Sequence, residues 1–455
     1  MAMNVDQLKE QVHGEVIVPG DQTYDEARAV HNGMIDKRPS AIVTVANTGD
    51  VMSTIQYARE NGLDLAIRGG GHSGPGFGTV DDGVVIDFSQ MRSVRVDPVA
   101  RTARADAGVT WGDINAATHA FGLATPGGII STTGVAGLTL GGGVGYLTRG
   151  FGLSIDNLIS VDVVTADGQF LVASEDENAD LFWALRGGGG NFGVCTSFEY
   201  RLHPLKDVYW GPMFYEVEEA QKIFEFYREY IKTAPEQMGV FPAFQIAPPL
   251  PFIPEDRHGD MFVVLIACWT GPVEEGEAAF RPFHEVAEVK AEMVGAVPFP
   301  AINAAFDGLY PKGLRQYWKG NYVKEISDEM IAVHIEHGPN APTVNSTMHM
   351  YPIDGAPHRV SQDSTSFGHR DANWAMVILA GGEDPASDES NIKWVRDYSD
   401  ALAPHSQAGG YINFMSDDDG GRSEDNYGAN YEKLADVKRK YDPDNLFHVN
   451  QNIKI

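Results

Sequence analysis

Residues 127–152 read GGIISTTGVAGLTLGGGVGYLTRGFG, a glycine-dense stretch with no charged side chain between Gly127 and Thr148. An ordinary surface loop of that length carries charge. Backbone stripped of side chains instead lets another group approach the main chain closely, so a long run of it points to a ligand lying against the backbone. Two shorter runs flank it, RGGGHSGPGFG at 68–78 and RGGGGNFGV at 186–194. Each contains G-x-G-x-x-G, as Gly69, Gly71, Gly74 and as Gly188, Gly190, Gly193. A Rossmann fingerprint needs a strand before the glycines and a helix after them. The first run is followed by the strand-like VVIDF, and the second follows a helical pattern and enters CTSFEYRL, so that fold is rejected for both. What survives is a cradle of consecutive N–H groups facing a phosphate or diphosphate.

Outward from these runs, 41–47 and 63–68 read as strands around an amphipathic helix at 49–61. Residues 84–87, 94–97 and 102–105 suit a small antiparallel sheet. Thr110 with Asp113 forms a capping box for a short helix that Gly122 ends. A strand at 159–165, a hairpin at Asp167-Gly168 and a helix at 178–185 complete a first half that closes near His203-Pro204. From about 208 the pattern changes to a helix at 217–233 and strands at 261–269, 317–325 and 344–351, an antiparallel sheet with helices on one face. The last segment reads as a strand (YINFM, 411–415), an acidic loop at 416–424, a helix at 431–440 and a DPDN turn.

Composition sets bounds. The chain has 455 residues, enough for two or three domains, and 34 Lys+Arg against 63 Asp+Glu give a net charge of -29. That excess disfavours nucleic acid and anionic membranes as partners. No apolar run approaches the roughly 18 residues of a membrane span, and the N-terminus lacks the pattern of a secretory signal. Two cysteines, Cys195 and Cys268, exclude a disulfide framework. The expectation is a cytoplasmic enzyme.

His72, inside the first glycine run, is the leading chemical candidate, since crowded glycines let its imidazole reach a ligand held by the same loop and neutral imidazole is a competent nucleophile. Arg68 reads as a structural or phosphate-side cation. No histidine or cysteine spacing suggests a metal site, and no G-x-S-x-G elbow is present. Cys195 reads as a small buried hydrophobe. Tyr146, Tyr317, Tyr322, Tyr351, Tyr411 and Tyr427 are each packing residues by default, and a phenol becomes a base only where its phenolate is stabilised. Trp318, Tyr317 and Tyr322 form either a stacking wall for a ring substrate or part of a core.

The set RGGGHS (68–73), TPGGIISTTGVAGLTLGGGVGYLTRGFGLSIDN (125–157), RGGGGNFGV (186–194), NYGANYEKL (426–434) and YDPDNLFHVNQNI (441–453) resembles the berberine bridge enzyme-like flavin oxidases, notably their bacterial members, in the vanillyl-alcohol oxidase superfamily. The likeness runs in order over nearly the whole chain, more loosely at 208–345. It implies an α+β protein: a two-lobed PCMH-type FAD-binding domain at 1–207, a substrate domain with an antiparallel sheet at 208–408, and a C-terminal segment, 409–455, returning to complete the FAD domain.

The resemblance further implies FAD attached through its 8α-methyl to His72. A second, 6-S-cysteinyl bond is not expected, because the corresponding position is Ile130. Cofactor contacts are implied in the first run at Arg68, Gly69, Gly70, Gly71, Ser73, Gly74 and Gly78. In the second they fall at Gly128, Ile130, Thr132, Thr133, Gly134, Gly137, Gly141, Gly142, Gly145 and Tyr146, where the small Thr133 leaves the flavin open to dioxygen. The third run adds Asn191, Gly193 and Val194, and the tail adds Asn450 and Gln451. Tyr427 is the implied base, with Tyr351 and Tyr411 as alternatives; Asn426 departs from the paired aromatics of several relatives. The implied activity is oxidation of a sugar, alcohol or secondary metabolite with dioxygen reduced to hydrogen peroxide. The alternatives are a flavin dehydrogenase using another acceptor and a catalytically silent flavin-binding protein.

Overall fold

Alternating apolar residues and well-capped helices build the first part of the chain. Strands Ala41–Thr44 and Leu65–Arg68 flank the helix Thr48–Asn61, whose N-cap Asn47 accepts from the Asp50 N–H and whose C-cap Gly62 turns left-handed. With Val84–Asp87 between them in parallel pairing, and Glu15–Ile17 added antiparallel, they form a four-stranded sheet. A second, five-stranded antiparallel sheet has the order Val94–Asp97, Thr102–Asp106, Val194–Arg201, Leu158–Val164, Phe170–Ser174. The capping box at Thr110 starts the helix Trp111–His119 as its spacing predicts. The structure, a computed structural model, describes residues 3–455 apart from the side chains of 417, 419 and 420; the first two residues of the unit expected over 1–207 lie outside the described residues.

The third sheet is eight-stranded and antiparallel: Ala291–Glu292, Asp207–Glu216, Met261–Trp269, Met238–Ile246, Thr347–Pro352, Trp374–Gly382 and Arg315–Val323 in order, with Gly295–Pro298 also on Asp207–Glu216. One face is covered by the helices Ala220–Ile231, Gly276–Val286, Asp328–His337 and Asp388–Leu402, in a core that includes Phe224, Phe280, Met330 and Val395. The opposite face packs toward the middle glycine stretch through Tyr146, Leu147, Leu153 and Ile155. The fold is thus α+β, with helices layered on mainly antiparallel sheets and the parallel pairs confined to the first sheet.

Residues 411–415 depart from the strand expected there: Ile412–Phe414 is a 3₁₀ turn. Its polar side chains bond elsewhere. Asn413 Nδ2 donates to the Leu138 carbonyl at 2.9 Å and the Tyr411 hydroxyl accepts from the Gly143 N–H at 2.7 Å, contacts that override β propensity. The helix Tyr431–Tyr441 forms as read, and the tail beyond it returns to the third glycine run.

Candidate active site

The three glycine runs, the tail and one face of the large sheet enclose a cavity of about 380 Å³, within the usual range for small-molecule and cofactor sites. On the glycine side the strand Leu65–Arg68 delivers the loop that carries His72. Gly70 and Gly134 touch backbone to backbone: a Cβ on either would lie 2.3 Å from the other's nitrogen, so the first two runs close on each other only because both lack side chains. At Gly137 and Gly190, both on the wall, a Cβ would meet nothing within 4 Å, and bare main chain faces open space. Arg68 Nη2 is held by the Asp87 carboxylate at 2.7 Å and the Ala27 carbonyl at 2.5 Å, while Nη1 is buried with no protein partner.

His72 is half-buried on this wall, with Nε2 3.0 Å from the Thr132 hydroxyl. Its ring stacks on His31 at 3.8 Å between centroids. Burial, reinforced by the neighbouring His31, holds the His72 pKa down at about 3, so the imidazole is neutral and its lone pair available.

The tail is laced to the third run. Asn450 Nδ2 donates to the Gly190 carbonyl at 3.0 Å, Asn191 Nδ2 to the Gln451 carbonyl at 3.1 Å, and the Ile453 N–H to Asn191 Oδ1 at 3.0 Å. Behind them Lys438, fully buried, donates to Asp442 at 2.6 Å, to the Asn191 carbonyl at 2.8 Å and to the Phe447 carbonyl at 2.9 Å.

The sheet side follows from the period-two alternation of a strand. On Thr347–Pro352, Met348 and Met350 enter the helix-side core, whereas Thr347, His349 and Tyr351 face the cavity. Register sets Val377 beside His349 and Leu379 between Thr347 and Trp318, and all of these line the wall. His349 Nδ1 and the Tyr351 hydroxyl share a 2.6 Å hydrogen bond. Burial lowers the His349 pKa to about 3 and pushes that of Tyr351 well up, so both are neutral. The Trp318 indole covers Gly74, where a Cβ would fall 2.5 Å from the ring.

This architecture has known relatives. Residues 39–174 match the family described as "FAD binding domain" and residues 410–454 that described as "Berberine and berberine like". An FAD-linked oxidoreductase of Dictyostelium discoideum is 32% identical over 99% of this chain and 96% of its own length. The chain belongs to the berberine bridge enzyme-like FAD-linked oxidoreductases. The crystal structure of 6-hydroxy-D-nicotine oxidase from Arthrobacter nicotinovorans superposes with a TM-score of 0.86 at 26% identity, covering 99% of this chain and 100% of that one. Glucooligosaccharide oxidase of Acremonium strictum, whose FAD is described as 6-S-cysteinyl and 8α-N1-histidyl, shares the fold with a TM-score of 0.84 at 22% identity, each chain 97% covered. The protein is an FAD-dependent oxidoreductase and an enzyme.

Against that family frame, the residues expected to contact the cofactor divide into two groups. Arg68 to Gly74, Gly78, Gly128, Ile130, Thr133, Gly134, Gly137, Gly193, Asn450 and Gln451 line the cavity. Thr132 reaches it through His72. Gly141, Gly142, Gly145, Tyr146, Asn191 and Val194 stand behind the wall. Gly141 packs under Asn413, Gly142 against Phe367 and Tyr411, and Gly145 against the Gly127 carbonyl. Tyr146 belongs to the core with Phe241, Asn191 holds the tail, and Val194 begins a core strand.

Of the expected bases, Tyr351 alone is on the wall. Tyr427 donates to the Gln451 carbonyl at 2.9 Å and is buried behind the tail, which raises its pKa. Tyr411 is occupied by the Gly143 N–H and by Asn413, and burial pushes its pKa up to about 12. Trp318 lines the cavity, but Tyr317 bonds Asp418 from the helix-side core and Tyr322 packs on His369. The wall also carries His349, Gln316, Tyr310 and Asn413, none of them expected there from the sequence. The alternation Thr-Met-His-Met-Tyr at 347–351 was the available signal for the first.

Among the described residues no cluster of His, Cys, Asp and Glu has the arrangement of a metal site, and no helix is long and apolar enough to cross a membrane.

Proposed function

We propose that the enzyme is an oxidase in which FAD is joined to His72, a hydroxyl-bearing substrate binds under the large sheet, and dioxygen takes the electrons. When bound, the flavin supplies a two-electron acceptor for hydride from carbon. The units expected at 1–207 and 409–455 form its binding region, and 208–408 the substrate side.

The observation that carries this reading is the neutral His72 on the wall of a bare-backbone cradle. The buried donor Arg68 Nη1, without a protein acceptor, suits an anionic cofactor group, and N–H groups of the first run suit its diphosphate. With Thr132 at Nε2, Nδ1 is the nitrogen left for attachment. Ile130 offers no thiol for a second bond. Cys195 lines the wall, but burial pushes its thiol pKa up and keeps it protonated, so a single attachment follows.

On the substrate side Tyr351 accepts the hydroxyl proton as hydride leaves the carbon, and passes its own proton to neutral His349. The alcohol becomes a carbonyl compound; one proton stays on the pair and two electrons leave with the hydride. Dioxygen, entering beside the small Thr133, receives two electrons and two protons to give hydrogen peroxide.

Acid precipitation of the holoprotein tests the tether: yellow colour stays with the wild-type pellet and leaves with the supernatant in His72→Ala. Oxygen consumption against dye reduction tests the acceptor, and peroxide-free turnover with dye alone would identify a dehydrogenase.

A further inference from the structure

The cavity face of the large sheet does not end at His349. It continues across neighbouring strands to a second chamber of about 50 Å³, lined by Ala243, Phe214, Phe252, Val264 and Ile266 among others. Register makes it one surface: Ala243 pairs with His349 and with Val264, and Val264 with Phe214. His349 and Tyr310 line both spaces and are the partition between them.

Two further features bear on what enters. Among the described residues the chamber wall carries no charged side chain, and the main cavity wall carries one, Arg68, already engaged with Asp87 on the glycine side. A charged substrate would find no counter-charge, and its desolvation would go uncompensated. The outer rim of the chamber is formed by Leu250 and Met293, which are 37% and 49% exposed and are thus apolar surface at its mouth.

We infer that the chamber holds the apolar tail of the substrate, which is an uncharged alcohol whose hydroxyl sits at the Tyr351–His349 pair and whose aryl or alkyl substituent extends past His349 toward Leu250 and Met293. The inference rests on the reading of the main cavity as the site of oxidation. An oligosaccharide is disfavoured, because its hydroxyls would enter a chamber whose lining offers few hydrogen-bond partners. A space of about 50 Å³ exceeds the roughly 10–15 Å³ that admits one water, and suits a chain of about three carbons before the mouth.

The test is calorimetric titration of the holoprotein with benzyl alcohol, 4-methylbenzyl alcohol and 4-propylbenzyl alcohol, with cellobiose as the sugar probe. Each buried methylene tightens binding by about fourfold in the ideal case, so the propyl compound is expected to bind at least ~10-fold more tightly than benzyl alcohol. Met293→Asp and Leu250→Asp each place a charge at the exposed rim, on residues that line the chamber and not the main cavity. Both are expected to reduce the propyl preference below ~3-fold and leave benzyl alcohol binding unchanged. Equal affinity along the series, tighter binding of cellobiose, or a propyl preference that survives in Met293→Asp overturns the inference. Because binding is read without turnover, tail-dependent affinity in a protein that consumes no oxygen would sink the oxidase reading and leave the chamber standing.

Discussion

His349 and Tyr351, two residues apart on one strand, are joined by a 2.6 Å hydrogen bond across the face of the sheet that lines the cavity. Residues i and i+2 of a strand share a face, so the sequence spacing itself places the pair together. Burial disfavours charge on either ring. The pair therefore rests neutral, and under the proposed function it would gain a charge only on taking a proton from the substrate.

Replacing Tyr351 with Phe is expected to lower turnover by about 10²- to 10⁴-fold, the usual range for a lost general base, with the flavin spectrum retained. Residues that act as a unit are non-additive, so His349→Gln combined with Tyr351→Phe is expected to cost little more than Tyr351→Phe alone. Stopped-flow flavin reduction measures both, and additive losses would separate the two residues.

Thr132 fixes one nitrogen of His72 and His31 fixes the plane of its ring. Thr132→Val keeps the volume and removes the hydroxyl. It is expected to slow covalent incorporation of FAD into apoprotein several-fold and to leave non-covalent binding intact. Mass spectrometry over a reconstitution time course follows the attached fraction; unchanged kinetics would show that Thr132 does not orient the ring.

The sequence made the cradle legible and the substrate side much less so. Glycine has no side chain to be misread, and three runs with His72 among them allow few interpretations. The cavity's opposite wall is built by register, which pairs Trp318 with Leu379 and His349 with Val377. Those residues are distant in sequence and individually unremarkable as core formers. The segment at 411–415 reads as a strand because its β-forming residues are local, whereas the hydrogen bonds of Tyr411 and Asn413 to Gly143 and Leu138 that hold it as a turn are not. Tyr427 stands out in the sequence through its motif, yet its hydroxyl donates to the Gln451 carbonyl.

Acid stability follows from buried neutral histidines. His334 and His349 have pKa values lowered from 6.5 to about 3 by burial. Below pH 6.5 the unfolded chain binds protons that the folded one refuses, so stability falls as the pH falls from 6.5 toward 3. At pH 5 each such histidine costs about 2 kcal/mol relative to neutral pH, at 1.36 kcal/mol per pH unit. Denaturant unfolding at pH 7 and pH 5 should show a drop smaller by about that amount in His334→Gln, a position away from the cavity.

Lys438 links the C-terminal helix to the third glycine run while neutralising Asp442 in a fully buried pair. Removing one member of a buried pair leaves the other uncompensated, at about 3–5 kcal/mol. Lys438→Met is expected to destabilise by that amount and to weaken FAD retention, because the Asn191 carbonyl loses its donor beside the tail. Replacing Asp442 as well, in Lys438→Met with Asp442→Asn, should recover part of the stability, since no unpaired charge remains. No recovery would mean that the backbone hydrogen bonds of Asp442, to the Leu446 and Phe447 N–H groups, dominate.

Gly70 and Gly137 both line the cradle, but for different reasons, and alanine separates them. At Gly70 a Cβ would lie 2.3 Å from the backbone nitrogen of Gly134, a contact that only movement of main chain relieves. Gly70→Ala is therefore expected to destabilise the apoprotein and to part the first two runs. Gly137 lies in the helix Val135–Leu140, where a Cβ would meet no protein atom within 4 Å. Alanine there favours the helix by about 1 kcal/mol over glycine, so Gly137→Ala apoprotein should melt at or above the wild-type temperature. Its methyl projects from a wall residue of the cavity, so FAD affinity should nevertheless fall, read by fluorescence titration of the apoprotein. Unchanged FAD affinity in Gly137→Ala would show that the cofactor does not approach the backbone of this helix, and would move it along the cavity toward the first and third runs.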